Sequence, residues 1–238
     1  MEVVEFLLPD PPDQRFALAL LLTSTSPVAR RVALDLFSSA HRDSRQGGLR
    51  SPYGSTWLPR AVRACAVREL AADPDTSRGY GSDPNRYEAV YALWFCYQDD
   101  DAPLVARVLA TEDDPEIIDM CLGVVDLVFH ADPHFDGGLL DTLRRIATDT
   151  GLDHRIRMGA IRYASGSASE RAVSWLVAAL DNGDQRIVAS AAQALLFRDR
   201  ERFAARIAPL LEDWKEEDMD GCHWEVTEAR RLLAGEDD

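Results

Sequence analysis

Residues 153–164 read Asp-His-Arg-Ile-Arg-Met-Gly-Ala-Ile-Arg-Tyr-Ala, and residues 184–195 read Asp-Gln-Arg-Ile-Val-Ala-Ser-Ala-Ala-Gln-Ala-Leu. The second stretch starts 31 residues after the first. Each opens on an aspartate, whose carboxylate can accept from the first free N–H groups of a helix. Apolar residues then follow three and four apart, the spacing that puts them on one helical face. Ala172 to Leu180 carries another helical pattern between the two. One helix pair per repeat is the signature of an α-solenoid, in which each repeat buries its apolar face against the next.

Weaker copies extend the pattern outward. Asp114-Pro115-Glu116-Ile117-Ile118 is followed by Cys121, Val124 and Val125, and Asp83-Pro84 by Tyr87, Val90 and Leu93. Ser26-Pro27-Val28-Ala29-Arg30 leads to Ala33, Leu36 and Phe37, and Asp220 to Leu233 holds the pattern loosely. The register resembles HEAT-like repeats, whose inner helix often carries Asp, two variable residues, Val-Arg, then Ala and Ala-Leu. Asp153, Ile156, Arg157 and Ala160 match, and Tyr163-Ala164 depart. Asp184, Ile187, Ala191, Ala194 and Leu195 match, with Val188 in place of the arginine. The resemblance implies an all-α fold, a right-handed α-solenoid of about six HEAT-like antiparallel helix pairs. It places residues 1–238 in one such domain, with pairs at about 12–40, 57–98, 102–130, 137–164, 168–197 and 200–234. It is nearly silent on function, since one architecture hosts many roles.

The chain of 238 residues has a formal net charge of −15 and is 46 % hydrophobic, enough to bury a sizeable core. A single lysine, Lys215, stands against 25 arginines, a bias that reads as that of a GC-rich bacterial coding sequence. No run of about 18 apolar residues is found. The start Met1-Glu-Val-Val-Glu-Phe lacks the basic residues of a signal peptide. Cys65, Cys96, Cys121 and Cys222 form no CxxC pair and read as small buried apolar residues. These features predict a cytoplasmic protein without a membrane segment.

Charge is polarised along the chain. Gln14 to Arg68 holds nine arginines against two aspartates, net +7. Asp99 to Asp136 holds eleven acids against Arg107, net −10, and Glu212 to Asp238 eleven acids against three bases, net −8. Such asymmetry bears on partners and association rates rather than on fold.

In order, a proline-rich lead-in of residues 1–12 precedes a first helix over Asp13–Leu22. A second starts at the Ser26 cap with Pro27 in its first turn. His41 to Thr56, with Gly47-Gly48, Pro52 and Gly54, reads as a long loop carrying Arg42, Arg45, Arg50 and Tyr53. Trp57–Ala72 is helical, and Asp73–Pro84 a second loop. Arg86 to Gln98 is the most aromatic stretch, and its spacing makes most of Tyr87, Tyr91, Trp94, Phe95 and Tyr97 core residues, with one or two on the inner surface. Asp99-Asp100-Asp101 and Glu112-Asp113-Asp114 link helices, where acids favour the helix dipole. His130 to Gly138 is an insertion. Helices over 139–149, 154–164, 168–181, 185–197, 200–213 and 221–234 complete the chain, and the terminal repeats are expected to be polar caps.

Catalytic patterns are sparse. No GxSxG occurs, no His-Glu pair of the kind found in HEAT-like iron-dependent hydroxylases is present, and Gly79-Tyr80-Gly81 lacks the third glycine and the strand of a dinucleotide loop. His130, Asp132, His134 and Asp136 alternate on a loop in reach of one ion, but in no zinc spacing, and Asp-Pro favours a turn. No cofactor or metal is therefore assigned. The enzymatic rival is the HEAT-like DNA glycosylase, which holds a damaged nucleotide with aromatic side chains and a carboxylate. Trp94, Trp175, Asp119 or Asp126 could supply these, but no residue-by-residue match carries a catalytic role over. Phosphate binding also requires clustered positive charge, such as Arg30, Arg31, Arg60, Arg63 and Arg68 on one track. Bilin lyases use related repeats, and no motif here selects them.

The sequence therefore predicts a non-catalytic protein-binding module with a concave groove. Its candidate partner-binding positions are Glu88, Tyr91, Trp94, Asp119, Asp126 and Arg162, together with Asp99, Asp100 and Asp101. The partner expected is a basic protein, most specifically a bacterial toxin neutralised by an acidic immunity-type inhibitor, drawn in by charge. Nucleic acid is the less favoured partner.

Overall fold

The computed structural model describes residues 11–47, 57–72, 83–212, 214–215 and 220–235. Arg50, Tyr53 and Gly79-Tyr80-Gly81 lie outside them. The described residues form α-helices and a single-turn 3-10 helix, with no strand among them. In chain order these are α1 (Pro11–Thr23), α2 (Pro27–Gly47), α3 (Trp57–Ala71), α4 (Pro84–Cys96), the 3-10 turn Asp99–Asp101, α5 (Ala102–Thr111), α6 (Pro115–Ala131), α7 (Leu139–Thr148), α8 (His154–Ala164), α9 (Glu170–Ala179), α10 (Gln185–Glu212) and α11 (His223–Ala234). None of them is long and apolar enough to cross a membrane. The chain divides into two compact units, Met1–Leu104 and Val105–Asp238.

Several helix starts follow the sequence closely, because they carry a chemical marker. Asp83 accepts from the N–H groups of Asn85 and Arg86, Asp114 from Glu116, Asp153 from Arg155 and Asp184 from Arg186. Pro84 and Pro115 occupy first-turn positions, where a missing N–H costs nothing. Some boundaries differ from expectation. The first helix begins at Pro11, two residues early. The second runs on to Gly47, because His41 to Gln46 contain no breaker and the expected loop therefore loses its first seven residues. Asp99–Asp101 is not a bare link but a 3-10 turn, closed by the Asp101 carboxylate accepting the Gln98 N–H at 3.0 Å. The expected helices 185–197 and 200–213 are two arms of α10, joined at Asp199 in extended backbone.

In the first unit α1 packs on α2 and α3, and α4 packs on α2 and α3. The α4 core face is built from Ala89, Val90, Ala92, Leu93 and Cys96. Beside it lies a buried polar knot. Glu69 accepts from both Nε and Nη2 of Arg30 and from Asn85 Nδ2, whose other hydrogen goes to the Pro27 carbonyl. Arg86, also buried, donates to the Leu70 and Ala72 carbonyls at the end of α3.

In the second unit α8 touches α6, α7 and α10, and α10 touches α8, α9 and α11. Every residue from Ile187 to Leu196 is buried, so the first arm of α10 is the centre of this unit. Its sequence explains this: apart from Gln193, residues 187–196 are small or aliphatic on every side, which is the composition of a helix surrounded by protein. The terminal helices are not the purely polar caps expected. Phe16 and Leu20, one turn apart on α1, are 69 % and 58 % exposed, and Trp224 on α11 is 56 % exposed.

One carboxylate gathers three of the second unit's elements. Asp184 caps α10, pairs with Arg186, and accepts from Arg157 Nη1 of α8 at 3.2 Å. Arg157 also donates to the Ala147 carbonyl at the end of α7. Burial alone would raise the Asp184 carboxyl. The hydrogen bonds from the Arg186 side chain and backbone, with the charges of Arg186 and Arg157, outweigh it and hold the pKa below the usual aspartate value. A depressed folded pKa contributes stability that is complete above the unfolded value of about 3.9 and is lost as pH falls through the folded one. Asp184→Ala should cost about 1–2 kcal/mol at neutral pH, as loss of a helix cap does. Asp184→Asn, which keeps a capping oxygen, should cost less, and its deficit should shrink as pH falls below about 3.9 and vanish below the depressed folded pKa. Urea unfolding as a function of pH checks both; a deficit independent of pH would contradict the charge assignment.

Candidate functional site

The predicted partner-binding residues fall into three groups. Glu88, Tyr91 and Trp94 share α4, Asp99 to Asp101 form the turn that follows it, and Asp119, Asp126 and Arg162 lie on α6 and α8 of the second unit.

On α4 the aromatic side chains do not enter the core as expected. Tyr87, Tyr91, Trp94, Phe95 and Tyr97 are all half-buried, because Ala89, Val90, Ala92, Leu93 and Cys96 occupy the face packed against α2 and α3. Tyr91 is the hub, its ring centroid 6.5 Å from Tyr87, 6.2 Å from Trp94 and 5.4 Å from Phe95, each pair tilted. Trp94 stacks on Phe95 at 6.1 Å. Such pairs add about 0.5–1.5 kcal/mol beyond the area they bury, and the row is a contiguous cluster of half-buried rings. Glu88 is half-buried on the same helix.

The three aspartates after α4 have different roles. Asp101 is only 2 % exposed and receives Arg63 in a two-pronged contact, Nε to Oδ2 and Nη2 to Oδ1, both 2.7 Å. Asp100 shares the same guanidinium at 2.6 Å from an exposed position, and Asp99 is exposed. The Asp101 hydrogen bond, followed by its charge and those of Asp100, holds the Arg63 pKa above the ordinary arginine value despite burial. The assignment of Asp101 to a partner surface is therefore corrected: its charge is engaged inside the unit, and Asp99 and Asp100 alone present carboxylates outward.

On α6, Asp119 and Asp126 lie two turns apart on one exposed face. Asp119 is bridged by Arg155 of α8 at 3.4 Å. Both groups are well exposed, so the pair contributes little to stability. Arg162 is exposed on α8, its guanidinium 4.8 Å above the neighbouring Tyr163 ring and its Nη2 donating to Tyr163 Oη at 3.1 Å. The first arm of α10 adds no accessible position between Ile187 and Leu196.

The His130–Asp136 stretch forms a turn. Asp132 Oδ1 accepts the His134 N–H at 2.9 Å, the Asp132 carbonyl accepts that of Phe135, and Asp136 sits 4.0 Å from Arg171. Among the described residues no three His, Cys, Asp or Glu side chains gather as metal ligands would. All four cysteines are buried. Burial, aided by the Asp101 charge, pushes the Cys96 thiol up to about 12, and burial also raises Cys65 and Cys222. These three thiols stay protonated at neutral pH and are poor nucleophiles.

What sequence reasoning missed is the polar interior. Glu69, Asn85, Arg86 and Asp101 are all less than a tenth exposed. The partners of the side chains that hold them inside, Arg30, Pro27, Glu69, Ala72 and Arg63, lie 14 to 58 residues away and leave no local signal. Comparison with protein-family models, curated proteins and solved structures returns no match to the chain.

The division of labour among the aspartates is testable. Asp101→Ala leaves Arg63 without its principal partner and should cost about 2–3 kcal/mol, toward the low end for a broken buried pair. Asp99→Asn and Asp126→Asn should stay within about 0.5 kcal/mol of wild type, as exposed positions do. Equal losses in urea unfolding for all three would contradict the placement.

Proposed function

We propose that the chain is a non-catalytic protein-binding module, a right-handed HEAT-like α-solenoid of six antiparallel helix pairs. Its partner is a basic protein. In its most specific form the reading is an acidic, immunity-type inhibitor that neutralises a basic bacterial toxin in the cytoplasm.

The solenoid reading is supported by contacts between alternate helices, α2 with α4, α6 with α8 and α8 with α10, together with the 31-residue spacing of the Asp153 and Asp184 caps. The binding reading rests above all on how charge is distributed. Arg30, Arg68, Arg86, Arg145, Arg157, Arg198 and Arg230 each donate to a backbone carbonyl at a helix end. Arg63 is bound to Asp100 and Asp101. These arginines thus tie the scaffold together, while Asp99, Asp113, Asp119 and Asp126 are exposed. A surface of this sign speeds encounter with a basic partner, up to about 10⁸–10⁹ M⁻¹s⁻¹ at low salt against about 10⁵–10⁶ for neutral pairs.

The same distribution weighs against the HEAT-like glycosylase reading. Of the five arginines a phosphate track would use, Arg30, Arg63 and Arg68 are committed to internal acceptors. The half-buried Tyr91 and Trp94 remain the feature that reading would use.

The test is affinity capture from the native host, with the wild-type chain and an Asp119→Lys/Asp126→Lys variant immobilised side by side. The reading predicts one stoichiometric basic protein on the wild type, released by salt and reduced on the variant. Retention of nucleic acid, or of a protein indifferent to both salt and the charge reversal, would overturn it.

A further inference from the structure

The turn between α9 and α10 reads Asp181-Asn182-Gly183-Asp184. It holds one of two asparagines in the chain; the other, Asn85, is buried and bound through its Nδ2 to Glu69 and the Pro27 carbonyl. Asn182 and Gly183 are both exposed. Gly183 has open space where a Cβ would stand, and its N–H donates to no acceptor among the described residues. The Asn182 side-chain carbonyl is not idle: Oδ1 accepts the Asp184 N–H at 2.8 Å.

These are the requirements for an asparagine side chain to be attacked by its own backbone. The Gly183 nitrogen, once it loses its proton, is the nucleophile, and Asn182 Cγ is the electrophile. A flanking glycine removes the steric barrier to the five-membered ring that results. As the nitrogen adds, negative charge develops on Oδ1, where the Asp184 N–H already donates at the distance expected of an oxyanion donor. That N–H belongs to the cap of α10, whose dipole also favours negative charge at this end.

We infer that Asn182 is a site of spontaneous deamidation, through a succinimide formed with Gly183, and that its conversion weakens the Asp184 junction. The new bond joins Gly183 N to Asn182 Cγ. The Cγ–Nδ2 bond breaks, and the side-chain nitrogen leaves as ammonia with the proton lost from Gly183 N. Water then opens the ring at either carbonyl. Opening at Cγ gives aspartate; opening at the backbone carbonyl gives isoaspartate, whose main chain is longer by one methylene. Either product adds a negative charge between Asp181 and Asp184. The isoaspartyl product also displaces Asp184 relative to Arg157, and so acts on the carboxylate that ties α7, α8 and α10 together.

The experiment incubates the full chain at mildly alkaline pH and maps its peptides by mass spectrometry. A synthetic Leu-Asp-Asn-Gly-Asp-Gln peptide runs in parallel as the unstructured reference. Asn182 should convert at least as fast as the peptide, with Asn85 unchanged. Gly183→Ala, which the open space at this position accommodates, should slow conversion at least about tenfold, equivalent to about 1.4 kcal/mol of barrier. The converted, isoaspartate-rich chain should melt below Asn182→Asp, which carries the charge without the extra methylene. Three results would each overturn the inference: an Asn182 that outlasts the peptide tenfold, a Gly183→Ala chain that converts at the wild-type rate, or equal melting of the converted chain and Asn182→Asp.

Discussion

A stack of short helices is weakest at the helix ends, where each helix leaves four N–H and four C=O groups without intrahelical partners. This chain has many such ends, and most of its local chemistry answers that constraint. Asp83, Asp114, Asp153, Ser169 and Asp184 accept from the opening N–H groups of α4, α6, α8, α9 and α10. Arginines close the other ends. Arg68 reaches the Leu22 carbonyl, Arg86 that of Leu70, Arg145 that of Leu109, Arg157 that of Ala147, Arg198 that of Ser165 and Arg230 that of Leu211. Each arginine comes from a later helix than the end it closes, so every such bond both satisfies a carbonyl and fastens one element to another. A guanidinium suits this role, with five donors on a rigid plane and weak hydration. A near-absence of lysine is thereby compatible with a well-tied scaffold.

The same economy shapes the surface. Several arginines are turned to helix ends, and Glu69, Asp101 and Glu112 are buried, while Asp99, Asp113, Asp119 and Asp126 are exposed. The division is visible within three consecutive residues. Asp101 is an internal partner of Arg63, while Asp99 is exposed. Sequence position alone could not separate them; only the reach of Arg63, 38 residues earlier, does so.

The all-α fold was legible because its signals are local. Helix starts were marked by Asp, Ser and Pro, and apolar spacing of three and four fixed the elements from residue 83 onward to within a few residues. What stayed hidden depends on distant partners or on volume. The Arg30–Glu69–Asn85 knot joins residues 39 and 16 apart in sequence. The α4 aromatics looked like core by spacing, yet Ala89, Val90, Ala92, Leu93 and Cys96 form the core face and the rings are half-buried. The first arm of α10 was legible as a helix of the repeat, but its burial on all sides depends on the helices around it. Of the candidate site, Asp119, Asp126 and Arg162 were read as surface positions and are exposed, whereas Asp101 is not.

Arginine ties between helix ends, such as Arg157 of α8 to the Ala147 carbonyl and to the Asp184 cap of α10, hold neighbouring helices in register beyond apolar packing alone. The most direct test is a double-mutant cycle on Arg157→Ala and Asp184→Asn, read by urea unfolding at neutral pH. The two side chains touch and share α8 and the α10 cap, so a coupling energy of about 1–2 kcal/mol is predicted, within the range for residues in one network. Losses that simply add, within about 0.3–0.5 kcal/mol, would contradict the claim.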